Sequence, residues 1–221
     1  MGIFLYFCAE MAQAGSVRVR VPVFFFIGTV FRAHNVSISF IPHVRLFLYR
    51  IYIMITLYLA RHGETEDNAA RIMQGQTQGR LNRNGIQQAF LLRDRLSAIH
   101  IDAFVASDLQ RAVETAVIVA EPHGREIVCT PLLRERDWGD FTGRYIPELQ
   151  GERWPDNVES MDCLQARARD FLAFVMEHYP GSTVLAVGHG IINKAVQAVH
   201  YNKPRSEIPR MDNAEVRVLE L

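Results

Sequence analysis

Three short segments carry side chains suited to handling an anion: Arg61-His62-Gly63, Ser107 with Arg111, and His189-Gly190. A guanidinium stays charged at neutral pH and offers paired N–H donors to adjacent oxygens, which suits a phosphoryl group. An imidazole can serve as nucleophile, acid or base near pH 7. Taken singly, each of these residues would serve as well as a helix cap or an ion-pair partner. Their placement argues for more. Each segment lies at or just after the end of an apolar run: ITLYLA (55–60), AFVAS (103–107) and TVLAVG (183–188). Strands of an open parallel sheet end at a common crevice, so groups far apart in sequence can meet there. Two imidazoles, two guanidiniums and helix N-termini at Asp108 and His189 would then line one pocket that wants an anion.

The elements that must position these groups follow from the apolar pattern. Beside the three runs above, Glu126 to Cys129 reads as a short strand and Glu215 to Leu219 as a closing edge strand. Between them fall helical faces: Ile86, Ala89, Leu92 and Leu96 behind a cap at Asn84; Leu109, Ala112, Ala116 and Val119 after Ser107-Asp108; Leu164, Ala168, Phe171 and Val175; and Ile192, Ala195 and Val199. Strand and helix alternate, which predicts an α/β domain with a largely parallel sheet. Thr130 to Glu159 is a long, turn-rich segment holding both tryptophans, Trp138 and Trp154, and a loop of that length in a small domain usually has a task.

Several chemistries are excluded by what is missing. The chain has no G-x-x-x-x-G-K-[ST], no G-x-S-x-G and no H-E-x-x-H. Gly188-His189-Gly190 fails as a dinucleotide loop because Asn193 stands where a third glycine belongs. Cys129 and Arg134 are one residue too close for a cysteine-phosphatase loop, so Cys129 is expected to be an ordinary buried thiol. The three cysteines, Cys8, Cys129 and Cys163, form no C-x-x-C pair, which suits a reducing, cytoplasmic setting.

Charge divides the chain. The 221 residues carry 24 basic and 24 acidic side chains, but residues 1–53 hold five arginines against the single acid Glu10. The remainder keeps 19 basic and 23 acidic residues, a net charge of −4, which gives no basic excess for binding nucleic acid. No apolar run in the leader reaches the roughly 18 to 20 residues of a bilayer span, so no membrane association is expected. The stretch ahead of Ala12-Gln13-Ala14 lacks the basic start of a signal peptide, and Glu10 cuts its apolar core short. Residues 1–53 show no clear periodicity, whereas a well-patterned strand begins one residue after Met54. We therefore expect 1–53 to be a leader outside the native fold, the natural start to be Met54, and residues 54–221 to be the functional domain.

Read in order, Arg61-His62-Gly63-Glu64-Thr65 with Asn68, Gln74-Gly75, Leu81, Gly85, Gln88-Ala89, Ser107-Asp108-Leu109-x-Arg111, Thr115-Ala116, Leu133-Arg134-Glu135 and Gly188-His189-Gly190 resemble the histidine phosphatase superfamily, the clan of cofactor-dependent phosphoglycerate mutases. The resemblance covers essentially all of Met54 to Leu221 and none of the leader. It implies a three-layer α/β/α sandwich with helices on both faces of a largely parallel sheet, and neither metal nor cofactor. It further implies that His62 becomes phosphohistidine, that Arg61, Arg111 and His189 hold the phosphoryl group, and that Glu135 donates and accepts the proton. Asn68, Gln74, Gly75 and Gly190 match positions that contact phosphate or substrate.

Chemistry gives these roles independent sense. A ring nitrogen attacks phosphorus only when unprotonated, and neighbouring arginines favour the neutral imidazole. A fixed cationic clamp can stabilise the charge on the equatorial oxygens without Mg²⁺. A carboxyl can protonate the leaving alkoxide and afterwards accept a proton from water. Metal binding is the competing idea, but His62 and His189 have no second ligand at an obvious spacing, and arginines would repel a cation. The other histidines, His34, His43, His100, His123, His178 and His200, are expected at the surface or in packing roles.

Departures from the family pattern bear on the choice within it. Only 54 positions separate Glu135 from His189, which leaves little room for a lid of the kind a mutase needs to exclude water. Hydrolysis of a small phosphorylated metabolite is therefore favoured over phosphoglycerate mutase activity. A non-catalytic phospho-ligand module is the reading from another class, and it is disfavoured because His62, Arg111 and Glu135 are all retained. Asn82 replaces a common Thr, Thr142-Gly143 a frequent Glu-Gly, and Val158-Glu159-Ser160 lacks the glycine usual before Glu-Ser. The last two are expected to alter the wall that selects the substrate. Trp138, Phe141 and Trp154 can pack the loop or stack on an aromatic or sugar phosphoester, and loop packing is the plainer expectation. The pattern points to no particular oligomeric state.

Overall fold

The computed structural model describes residues 54–221 and, ahead of them, two strands at 20–27 and 30–37. Arg20–Ile27 (β1) pairs antiparallel with Val30–Ser37 (β2), with Ile27 opposite Val30. These strands form their own two-stranded sheet in a unit separate from Ile51–Leu221. The pairing was not visible as a periodic pattern, although β-branched and aromatic residues favour strands. The apolar stretch before Ala12-Gln13-Ala14 lies outside the described residues, as do Cys8 and His43.

The unit Ile51–Leu221 is organised around a five-stranded sheet built from the runs read in the sequence. Its strands are Thr56–Arg61 (β3), Ala103–Ser107 (β4), Ile127–Thr130 (β5), Thr183–Gly188 (β6) and Val216–Glu220 (β7), in the order β5-β4-β6-β3-β7. All pairings are parallel except β7, which runs antiparallel along β3 at the edge. Alternation along the strands sends side chains to two separate cores. Leu57, Leu59, Val105, Val184 and Ala186 pack with Leu164, Ala168, Phe171, Ile192 and Ala195. Ala60, Phe104, Ala106, Leu185 and Val187 pack with Leu92, Leu96, Ala112, Ala116 and Val119. The first core is covered by helices Met161–His178 and Gly190–His200, the second by Arg83–Leu96 and Gln110–Ala120. This is the three-layer sandwich, and it explains why the central strands read as unbroken apolar runs.

Four local expectations need correction. The helix Arg83–Leu96 is capped by Asn82, whose side chain accepts from Gly85 N, and not by Asn84. Its buried stripe starts at Gly85, while Ile86 is 41% exposed. The cause is close approach: a Cβ on Gly85 would lie 1.9 Å from the carbonyl oxygen of Glu64, so the helix meets the segment after β3 through a glycine and Ile86 turns outward. Ser107 and Asp108 do not cap the next helix directly. Its N-cap is Leu109, Ser107 Oγ accepts from Leu109 N, and Asp108 forms a bidentate pair with Arg134 that holds its carboxyl below the ordinary range. Cys129 is an exposed free thiol because β5 is the outer strand of the sheet, paired only to β4. The thiol is pushed up by its partial burial and by the nearby Asp108.

The described histidines away from the strand ends behave as expected. His100 pairs with Asp102 at the surface, His123 packs on Phe104, and His178 and His200 lie against Phe174 and Tyr201. Among the described residues, no helix is long and apolar enough to cross a membrane.

Candidate active site

The carboxyl ends of β3, β4 and β6 deliver the predicted cluster to one place. His62 continues β3 and is fixed at both backbone ends, with its N–H donating to Gly188 O and its carbonyl accepting from Ala214 N. The rings of His62 and His189 stand 5.0 Å apart between centroids, tilted by 59°. Arg61, His62, Arg111 and His189 are all buried, none more than 7% exposed.

Hydrogen bonding assigns a protonation state to each ring. His62 Nδ1 lies 2.6 Å from the carbonyl oxygen of Gly63. A carbonyl only accepts, so Nδ1 carries the hydrogen and the neutral ring has its lone pair on Nε2. His189 is the reverse: its Nδ1 accepts from Arg111 Nε at 3.1 Å, so its hydrogen sits on Nε2, a buried atom with no protein partner. One ring therefore presents a nucleophilic nitrogen and the other an N–H donor. Both are held well below the usual imidazole range, first by burial and then by the charges of Arg111 and Arg61, with His62 also acting on His189.

The two arginines are differently placed. Arg61 Nη1 donates to Met211 O at 2.8 Å, while its buried Nε has no partner in the protein. Arg111 donates from Nε to His189, from Nη1 to the carbonyls of Thr77 and Gln78, and from Nη2 to Gly75 O. That leaves one N–H of its Nη2 for a ligand. Burial lowers its pKa to about 10, so it stays cationic at neutral pH.

Glu135 meets the helix that begins after His189. Its carboxylate accepts from Ile191 N and Ile192 N at 3.1 and 3.2 Å, and from Arg136 N at 2.9 Å. The free N–H groups of that helix terminus therefore face the carboxylate, where the sequence suggested that they would face the anion directly. A Cβ on Gly190 would lie 3.7 Å from both Glu135 Oε2 and Arg61 Cζ, which places the carboxylate and the guanidinium on two sides of one point.

The remaining predicted residues form a ring behind Arg111. Asn68 Nδ2 donates to Gln74 Oε1, Gln74 Nε2 donates to Asp67, and Gly75 adopts φ +54° and turns its carbonyl to Arg111. All nine predicted site residues are thus drawn into one region, connected through these bonds and contacts.

Other contributors had no role assigned to them from the sequence, although Thr115 stood within the family pattern. The loop before β7 supplies Met211 O to Arg61, and Asn213 Nδ2 to His62 O and to Asn68 Oδ1. Thr115 Oγ1 accepts from Gly63 N, and Asn193 Nδ2 ties the following helix to Ala60 O. A Met-Asp-Asn loop before an edge strand gives no periodic signal, and Met211 acts through its backbone carbonyl, so only the asparagine was open to notice.

Fold and site together define an α/β protein whose strand ends gather paired imidazoles and arginines into one buried cluster. Residues 57–221 match the model of the histidine phosphatase superfamily (branch 1), and the chain belongs to that superfamily. Its relatives include the probable phosphoglycerate mutase GpmB of Serratia proteamaculans (strain 568), 40% identical over 152 residues that span 62% of this chain and 71% of the relative. Among solved structures it resembles a mycobacterial glucosyl-3-phosphoglycerate phosphatase in complex with VO3, at TM-score 0.69 and 28% identity over 74% of this chain and 91% of the other. It also resembles a putative alpha-ribazole-5'-P phosphatase of Escherichia coli, at TM-score 0.66 and 26% identity over 76% and 96%. The protein is an enzyme of this superfamily, with phosphatases among its structural neighbours.

Proposed function

We propose that residues 54–221 hydrolyse a small phosphomonoester through a phosphohistidine at His62, without a metal, in the cytoplasm. The observation that carries this reading is the opposed protonation of two neighbouring buried rings: a free Nε2 lone pair on His62 and a free Nε2–H on His189.

In the first half, His62 Nε2 attacks phosphorus and the bond from phosphorus to the ester oxygen breaks. The leaving alkoxide takes a proton from Glu135. The resulting phosphohistidine is cationic at the ring, and the Nδ1–H bond to Gly63 O stabilises that charge. In the second half, water attacks phosphorus, gives its proton to Glu135 and displaces His62. The sum is ester plus water to alcohol plus inorganic phosphate. Arg61 Nε, the remaining Arg111 N–H and His189 Nε2–H meet the charge on the phosphoryl oxygens, and because they are fixed beforehand they need no reorganisation at the moment of reaction. Asn68, Gln74 and Gly75 hold the Arg111 side of this pocket, and Gly190 lets Arg61 and Glu135 approach.

Transfer to a second substrate hydroxyl is the other reading, favoured by the relatives named as probable phosphoglycerate mutases. A panel of phosphoesters assayed in EDTA, wild type beside His62→Ala, tests the proposal. Chelator-sensitive activity or full activity of the variant would overturn it. A requirement for a bisphosphorylated primer would establish the mutase reading instead.

A further inference from the structure

The segment that carries Glu135 is fastened by two charged residues to which the reaction gives no part. Arg167, on the helix Met161–His178, and Glu159, just ahead of it, have side chains only 16% and 13% exposed. Arg167 Nε and Nη2 bind the Glu159 carboxylate at 2.8 to 3.1 Å. The same guanidinium donates from Nη1 to the carbonyls of Leu132 and Arg134, and from Nη2 to that of Glu135. Glu159 completes the grip. Its carboxylate accepts from Asp137 N, its own N–H donates to Asp137 O, and its carbonyl accepts from Arg136 Nε. Five residues of the segment, Leu132, Arg134, Glu135, Arg136 and Asp137, are thereby tied to one ion pair.

A carboxyl that must hand a proton to a departing oxygen is sensitive to placement, since a displacement of about 1 Å can cost on the order of 100-fold in rate. The short segment 134–137 has no regular secondary structure to supply that precision. A planar fork gripping a carboxylate in two places supplies it, because it fixes direction as well as distance. We propose that Glu159–Arg167 is a positioning pair that aims Glu135 at the leaving-group oxygen, and that the Glu-Ser motif at 159–160 serves proton delivery, not the substrate wall. The inference rests on the reading of Glu135 as proton donor.

The test measures kcat/KM for phenyl, 4-nitrophenyl and 2,4-dinitrophenyl phosphate, substrates alike in shape whose leaving oxygens differ in their need for a proton. Glu135→Gln sets the signature of lost proton donation: a large loss on phenyl phosphate and little on the dinitrophenyl ester. Arg167→Gln removes the fork and the cation, whereas Glu159→Ala removes the carboxylate that holds the fork in direction and keeps the cation. Both are expected to lose roughly 10- to 100-fold on phenyl phosphate and less than about threefold on the dinitrophenyl ester. Arg167→Lys should recover part of the loss, most of all on phenyl phosphate. Equal losses across the three esters would mean general loosening and would overturn the pair's role. A leaving-group effect in Arg167→Gln but not in Glu159→Ala would assign it to the charge of Arg167 alone, and would overturn the pair's role as well. A flat series for Glu135→Gln itself would remove the proton-donor reading and this inference together. The same variant steep, beside flat series for Arg167→Gln and Glu159→Ala, would remove the inference alone. If Arg167→Gln fails to fold, Glu159→Ala decides by the same criterion.

Discussion

The strand-end cluster and the segment from Trp138 to Asn157 are built on opposite principles. In the cluster, Arg61, His62, Arg111 and His189 are buried, three of them lie in or directly after parallel strands, and each is held by fixed hydrogen bonds that leave His62 Nε2, His189 Nε2 and Arg61 Nε without a protein partner. The later segment is made of single 3₁₀ turns, Gly139–Phe141 and Ile146–Leu149, with Tyr145, Ile146 and Trp154 exposed. Its aromatic residues satisfy one another: Trp154 lies 5.6 Å from Trp138 and 6.1 Å from Phe141, and Arg136 sits over both tryptophan rings at 4.7 and 4.8 Å. The first region can hold a reaction constant while the second changes. The comparison predicts that substitutions in the cluster act on the chemical step and that substitutions in the loop act on the choice of substrate.

The largest effect should come from His62→Ala, which removes the attacking nitrogen without opening a strand pairing. A loss on the order of 10⁴-fold or more is expected in kcat, together with loss of an acid-labile, base-stable phosphoenzyme in rapid-quench labelling. Retention of the labelled intermediate would place the nucleophile elsewhere and dissolve the distinction between the regions. Next comes Arg111→Lys. The ammonium keeps a charge but cannot reach His189, Thr77, Gln78 and Gly75 together, so the ring would lose the donor that sets its tautomer. A fall of about 10²- to 10³-fold in kcat is expected, with KM changing far less. A variant changed mainly in KM would mean that Arg111 binds ground state and transition state alike.

Much of the first region was legible in the sequence because parallel strands buried on both faces must be apolar throughout, and their polar ends then stand out. That logic located Arg61, His62, Arg111 and His189. It could not locate Glu135, which lies past a 3₁₀ turn and was reached only through resemblance to a family. It also missed Met211, whose contribution is a carbonyl that any residue could offer. Ile86 shows a different failure. The 3.6-residue period holds along Arg83–Leu96 at Ala89, Leu92 and Leu96, but at the first turn a glycine set against the backbone of Glu64 takes the buried place and leaves Ile86 outside. In the second region, packing among Trp138, Phe141 and Trp154 follows no period, so the sequence could only offer alternatives. The structure favours loop packing.

Burying two imidazoles also makes the cluster sensitive to acid. Each is held below its ordinary pKa of 6.5 in the folded protein. The unfolded chain therefore takes up more protons as pH falls through 6.5, so stability is full above that value and is lost below it. Urea midpoints measured from pH 7.5 to 5 should decline, with each histidine contributing a slope of up to about 1.4 kcal/mol per pH unit. His62→Asn and His189→Gln should each flatten the curve relative to wild type. A wild-type curve that stays level, or rises toward acid, would show that the rings are not held neutral in the fold.

The smallest effect is expected from Trp154→Ala, and it tests the other half of the comparison. The ring is 52% exposed and meets Trp138 and Arg136, so its loss should cost about 1 kcal/mol or less in stability, the usual worth of an exposed cation–π contact. Trp138 would remain against Gly75, where a Cβ would come within 3.2 Å of its ring, so the Arg111 cradle keeps its support. We expect kcat/KM on phenyl phosphate to change by less than about threefold, while the preference between a compact aryl phosphate and a bulky sugar phosphate shifts by a similar few-fold factor, about the worth of one partial apolar contact. If Trp154→Ala instead lowered every substrate by more than about tenfold, comparable with losing a positioned donor, the loop would belong to the reaction's fixed machinery and the two regions would be one.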